Sequence, residues 1–232
     1  MLKALLTDVD GTITDSSRRI DTGAIECIRS LMDDGMEVVL ASGNTSCFMD
    51  ALCKMVGTRG TFIAENGGVY RIGYSGPLNI TGDQAVCRAA LETVQAHYRE
   101  KGIELELYNP TYRYADLAFA RTVPAQEVRQ LLSGQPVQVI DTGYAIHLQS
   151  EGISKGTTLI ALARDMGLSP QDFFAIGDGI NDAGMLTAAG RGVTIANAHP
   201  ATKAAASDVM EEGYGKGFVQ AVKKYSPYLR AR

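Results

Sequence analysis

No apolar run in the 232 residues reaches the roughly 20 residues of a membrane span. That argues against a spanning helix. No basic stripe is present either, and the net charge is a modest −4. Nucleic acid therefore lacks the electrostatic footprint it needs on a protein. The four cysteines (Cys27, Cys47, Cys53, Cys87) have no CxxC spacing. Neither a disulfide framework nor a zinc site is expected, and reduced, buried thiols are. The three histidines (His97, His147, His199) have no partner at ligand spacing, which points to structural roles. Internal repeats and low-complexity segments are also missing. The chain starts in an apolar strand that leads straight into an acidic cluster, and a cleavable leader would delete that cluster. A soluble, cytoplasmic protein is the expectation.

The composition, 45% hydrophobic and 21% charged, is enough for a core and allows one large or two small domains. Strand and helix patterns alternate along the first third. The apolar run Leu2–Leu6 reads as a buried strand. Asp21 or Thr22 can cap a helix with Ile25, Ile28, Leu31 and Met32 on one face, ended by Gly35. Residues 36–41 read as a strand and 47–56 as a helix. Thr61–Ala64 and Val69–Ile72 read as a hairpin around Asn66-Gly67-Gly68. Such alternation argues for a parallel sheet with right-handed crossovers. Near Pro77 the pattern changes. Helices are expected over 83–99 and 124–132, and strands over 103–108, 114–120, 137–140 and 144–148. From Ser154 the alternation resumes, with helices at 155–166, 181–189, 200–206 and 218–224 and strands at 173–176 and 192–195. The expected architecture is α/β: a Rossmann-like parallel-sheet core (1–77 and 151–232) with an inserted α+β cap domain (78–150).

Four short segments carry the chemistry: Asp8-Val9-Asp10-Gly11-Thr12, Ser42-Gly43-Asn44, Lys155-Gly156 and Gly177-Asp178-Gly179-Ile180-Asn181-Asp182. Two of them put carboxylates at the ends of predicted strands. Carboxylates gathered there repel one another unless a cation joins them, and hard oxygen ligands suit Mg²⁺. A hydroxyl, a lysine and Gly-rich turns suit a phosphate. The chemistry reads as Mg²⁺-dependent phosphoryl transfer. In a strand Asp8 and Asp10 share a face. Asp8 can act as nucleophile once metal and cation screen the repulsion. Asp10 can serve as general acid and then as general base. Ser42 offers a hydroxyl and Gly43 an open amide. A lysine in the first helical turn is disfavoured by the helix dipole, and that local cost at Lys155 favours a functional role.

In this order the four segments resemble the haloacid dehalogenase superfamily of aspartate-nucleophile phosphatases. Within it they are most similar to the Cof-like branch and its archaeal-type phosphoglycolate phosphatases. The resemblance covers the whole chain and implies the cap between the second and third motifs. It implies Asp8 as nucleophile, with Asp178 on Mg²⁺ directly and Asp182 on it directly or through water. The expected metal set is Asp8, Asp10, Asp178 and Asp182. The phosphate set is Ser42, Gly43, Lys155 and Asn181, with Lys155 between Asp8 and the phosphoryl group. The usual arginine after Ser/Thr-Gly is Asn44 here. The implied substrate is 2-phosphoglycolate, a small phosphorylated metabolite. Sugar phosphates and phosphoglycerate derivatives are the alternatives. A receiver-like signalling module phosphorylated on aspartate is the rival of another class, and the Asp8–Asp10 pair argues against it. Glu65 and Asn66 lie either at the site mouth or in the hairpin turn. Arg113, Tyr112 and Lys101 are conceivable partners for a substrate carboxylate. Oligomeric state is open.

Overall fold

The first strand, β1 (Ala4–Asp8), has no exposed face, since all five residues are buried. Such a strand needs cover on both sides, and the computed structural model, which describes residues 1–229, supplies it. The chain continues through α1 (Thr22–Asp33), β2 (Glu37–Ala41), α2 (Ser46–Val56), β3 (Phe62–Ala64), β4 (Val69–Arg71) and β5 (Asn79–Ile80). Next come α3 (Gln84–Glu100), β6 (Asp116–Ala120), α4 (Ala125–Leu131), β7 (Val137–Asp141) and β8 (Ala145–Ser150). The last part runs α5 (Lys155–Asp165), β9 (Phe173–Ile176), α6 (Ala183–Ala188), β10 (Arg191–Thr194), α7 (Pro200–Ala205), β11 (Asp208–Val209) and α8 (Tyr214–Tyr225).

Eight strands form the large sheet in the order β11-β10-β9-β1-β2-β3-β4-β5. It is parallel from β11 to β3, and β4 and β5 add antiparallel. Strand alternation splits its side chains. Leu5, Val38, Leu40 and Phe174 pack with Ile28, Met49 and Phe218 on one face. Ala4, Leu6, Val39, Phe173 and Ala175 pack with Leu159, Leu162 and Met185 on the other. The result is a helix-sheet-helix sandwich. From β1 the chain winds one way through β2 and the other way through β9, so β1 and β9 flank the point where strand order reverses. Ligands of open α/β sheets bind outside the carboxyl ends at such a point.

The second sheet, β6-β8-β7, is antiparallel. Leu117, Phe119, Ile146 and Leu148 cluster with Cys87, Val94 and Val128 of α3 and α4. The alternate residues Asp116, His147 and Gln149 take the opposite face, and Gln149 reaches the core to donate to Glu65 O at 2.7 Å.

Several local expectations shift. Residues 103–108 make one isolated bridge, Leu107 to Phe119, in place of a strand. Asn109 follows directly in the left-handed region (φ 52°) and turns the chain away. The large sheet extends past Pro77 to Ile80. A 3₁₀ turn at Ile180–Asp182 precedes α6, and α8 begins at Tyr214, ahead of the expected Phe218. All four cysteines are free; Cys53 and Cys87 are buried as expected, whereas Cys47 is exposed. Among the described residues no helix is long and apolar enough to cross a membrane.

Candidate active site

Asp8 is the last residue of β1, and Asp178 follows the neighbouring β9, so both carboxylates emerge at the carboxyl edge. Asp182 comes from the turn before α6. One oxygen from each of the three lies within 4.8 Å of the others. The Asp10 side chain stands outside this group. Its Oδ2 accepts from Asn44 Nδ2 at 2.9 Å.

Lys155 opens α5 behind the N-cap Ser154, whose side chain takes part in a capping box with Thr157. The lysine has no solvent exposure, and its ammonium is 2.5 Å from Asp8 Oδ1 and 2.6 Å from Asp182 Oδ1. Burial opposes its charge, yet Asp182 and Asp8 outweigh that and raise its pKa above the ordinary lysine value. The cation that the helix dipole disfavours is thus held by two carboxylates.

Asp182 is fully committed. Oδ1 faces Lys155, and Oδ2 accepts the backbone N–H groups of Asp178 and Gly179 at 3.0 and 2.8 Å. Asp178 is gripped by Thr12 Oγ1 at 2.9 Å and by Asn197 Nδ2 at 3.2 Å. Gly11 has φ +89°, and a Cβ there would come within 2.5 Å of Asp178 Oδ2, so only glycine fits. Burial, then Asp182, raise Asp178 to about 7. Burial and Asp182 likewise push Asp8 well above the usual carboxylate range, and Lys155 offsets only part of this. Three clustered carboxylates, two of them buried and Asp178 half-buried, face one ammonium, so acidic groups are in excess. Asp178 has neutral donors and no cation partner among the described residues. The donor set is all oxygen and fits a hard divalent cation.

Across from the acids, Ser42 Oγ accepts from the Asn44 N–H (3.1 Å) and from Asn44 Nδ2 (2.9 Å). Its own hydroxyl proton is left to donate elsewhere. Asn44 therefore ties Ser42 to Asp10. Asn181 donates to Asn66 Oδ1 at 2.9 Å, while the Lys155 ammonium donates to Asp8 and Asp182. Asp8, Asp10, Ser42, Gly43, Asp178 and Asn181 nonetheless line one cavity of about 170 Å³.

Glu65 and Asn66 serve both the turn and the site. Both adopt left-handed backbone (φ 51° and 54°), an uncommon conformation for residues other than glycine. The Glu65 N–H donates to Asn44 O, and the Asn66 N–H to Ser42 O. The buried Glu65 carboxylate accepts the N–H groups of Tyr114, Ala115 and Asp116 at 2.8–3.2 Å. It joins the Ser42–Asn44 loop to the start of β6. Burial, then Asp116, raise Glu65 to about 7. Asn197 and Glu65 are the supports that sequence reasoning misses in role, because each acts through partners far away in the chain. His147, expected to be structural, lines the cavity.

A family model described as haloacid dehalogenase-like hydrolase matches residues 5–118 and 123–222. The chain belongs to that family. It is 62% identical to a phosphoglycolate phosphatase of Methanoculleus marisnigri, over all of both chains. It is 49% identical to one of Methanospirillum hungatei, again over the full length of both. Among solved structures, one from Thermoplasma acidophilum superposes with a TM-score of 0.86 at 28% identity, covering 97% of this chain and 99% of that one.

Proposed function

We propose that this phosphatase hydrolyses 2-phosphoglycolate to glycolate and phosphate through an aspartyl-phosphate on Asp8. The observation that carries the reading is Asp8 at the end of β1, one oxygen held 2.5 Å from Lys155, in a cavity with Asp10 and Asp178. The substrate comes from the printed names of the full-length relatives. The small cavity agrees with it, since about 170 Å³ lies below the roughly 300–1,000 Å³ of pockets for drug-sized ligands.

In this reading Asp8 Oδ2, which accepts no hydrogen bond among the described residues, attacks phosphorus, and the bond from phosphorus to the glycolate oxygen breaks. Asp10 gives its proton to that leaving oxygen. Asp10 then takes a proton from the water that attacks the aspartyl-phosphate, releasing phosphate and restoring Asp8. Lys155 works against burial and Asp182 in favouring the ionised form of Asp8, and it screens that carboxylate's approach to the dianion. The Ser42 hydroxyl and the Gly43 amide donate to the phosphoryl oxygens. Mg²⁺, held by Asp8 and Asp178 with Asp182 in support, would supply the positive charge that lets a carboxylate meet a phosphate. We take 78–150 as a cap over the site. We take the cytoplasm as the setting and a small phosphorylated metabolite as the partner.

A competition assay of phosphoglycolate against a hexose phosphate tests the substrate. Phosphoglycolate is expected to win in kcat/KM. A hexose phosphate ahead by about tenfold (~1.4 kcal/mol) would remove the assignment and leave the phosphatase.

A further inference from the structure

We propose that Arg113 and His147, both carried on Asp116, read the non-phosphate end of the substrate by receiving its carboxylate. This rests on the phosphoglycolate reading and adds the residues that would enforce it.

Asp116 has no solvent exposure, and it divides its oxygens. Oδ1 accepts from Arg113 Nη1 at 2.6 Å, and Oδ2 pairs with His147 Nδ1 at 2.8 Å. The Arg113 and His147 side chains are only 4% and 5% exposed. Arg113 is fixed further by Tyr108 O (2.9 Å, from Nε) and Gly43 O (3.2 Å, from Nη1). Among the described residues neither Arg113 Nη2 nor His147 Nε2 makes a hydrogen bond. Both residues line the cavity that holds Asp8 and Asp178.

A buried guanidinium and a buried imidazole are costly ways to fill a wall, because apolar side chains of similar volume would avoid the desolvation. Here they keep one polar atom each uncommitted at a cavity. The carboxylate behind them locks both orientations, so little freedom remains to be lost when a ligand binds. Two fixed groups, one on each residue, suit the two oxygens of a planar carboxylate. His147 donates Nδ1–H to the Asp116 carboxylate, so its Nε2 gives a hydrogen bond to a ligand carboxylate only as the imidazolium.

Reach sets the size of the ligand. Arg113 Nη1 bonds the carbonyl of Gly43, while the Gly43 amide and the Ser42 hydroxyl are the proposed phosphate donors. The carboxylate-reading and phosphate-reading groups thus meet at one residue, which suits a short acid with its phosphate close by. Arg18, also on this cavity, is exposed and stacks 4.4 Å from the Tyr144 ring centroid, with no ion pair to a carboxylate among the described residues.

The test is the ratio of kcat/KM for phosphoglycolate to that for ethyl phosphate, which has the same length and no carboxylate. It is measured in wild type, Arg113→Gln, Arg113→Lys, His147→Gln and Arg18→Gln, with thermal unfolding to confirm folding. The ratio is expected to fall at least about tenfold in Arg113→Gln and in His147→Gln. Arg113→Lys, which keeps charge and loses the fork, should fall between wild type and Arg113→Gln. If Arg113→Gln does not fold, His147→Gln and Arg113→Lys decide the matter. A high wild-type ratio that survives these variants within threefold overturns this assignment alone. So does a loss confined to Arg18→Gln. A wild-type ratio near one sinks the phosphoglycolate reading and this assignment with it.

Discussion

Lys155 Nζ lies 2.5 Å from Asp8 Oδ1, and the lysine is wholly out of solvent. The pair joins residues 147 positions apart. It connects the first turn of α5 to the end of β1, so fold and chemistry depend on the same contact. Asp182 takes the same ammonium from the other side at 2.6 Å.

Replacing Lys155 by Met should therefore damage both. The change strips the counter-charge from two buried carboxylates, and breaking a buried pair from one side costs about 3–5 kcal/mol. Urea unfolding of the metal-free protein should show a loss of that order, and kcat should fall by at least about 100-fold. A variant of native stability would mean that the carboxylates are neutralised in some other way.

Asp8→Asn should separate the two roles. The amide keeps the shape, removes one of three mutually repelling acids and deletes the nucleophile. Turnover should drop by at least about 10³-fold, while the melting temperature of the metal-free protein holds or rises. Residual activity near wild type would rule out the covalent route.

Asp10→Asn should slow both halves of the reaction, since Asp10 serves first as acid and then as base, and the second half more than the first. Asp10 stands apart from the three-acid cluster, bonded to Asn44, so its loss leaves Asp8 and Lys155 in place. Intact-mass spectrometry after mixing with substrate should show a phosphorylated protein that decays slowly. Only unmodified protein, with slow turnover, would contradict the role of Asp10 in activating water.

The parts visible in the sequence were those with local causes. The apolar runs before Asp8 and before Asp178 announce parallel strands. Ser154 caps α5 as expected and sets Lys155 in its first turn. Long-range supports left no such trace. Nothing near Asn197 announces that it holds Gly11 O and Asp178 across 186 and 19 residues. Glu65 looks like part of a hairpin turn until the fold brings Tyr114, Ala115 and Asp116 onto its carboxylate. Asn44 departs from the family pattern, and its bonds to Ser42 and Asp10 show the side chain at work where an arginine was expected. The 103–108 segment has strand-like alternation, but the left-handed Asn109 ends it before a ladder can form.

Mg²⁺ should stabilise the protein as well as activate it. A ligand that binds only the folded state adds RT ln(1 + [L]/Kd), about 2.7 kcal/mol at a hundred times Kd. Thermal melts with and without Mg²⁺ should show the gain in wild type and its loss in Asp178→Asn. Exhaustive chelation should abolish turnover. Equal Mg²⁺ stabilisation of wild type and Asp178→Asn would take Asp178 out of the metal set.

Glu65 gives a pH signature distinct from the acids of the metal site. Burial first, then Asp116, raise its pKa to about 7 from the ordinary glutamate value of 4.5, against the pull of its backbone donors and Arg113. A raised folded-state pKa means that the native protein holds the proton more tightly than the unfolded chain does. The associated stability is fully present below the unfolded pKa of 4.5 and is lost as pH climbs through about 7. Every tenfold gain in proton affinity is worth about 1.4 kcal/mol, so the swing is on the order of 3 kcal/mol. Unfolding free energies should be compared for wild type and Glu65→Gln between pH 4.5 and about 8, at saturating Mg²⁺ so that Asp8 and Asp178 keep one charge state. Wild type should lose stability relative to Glu65→Gln as pH rises through that window. A flat difference would show that the three backbone N–H groups keep Glu65 ionised throughout.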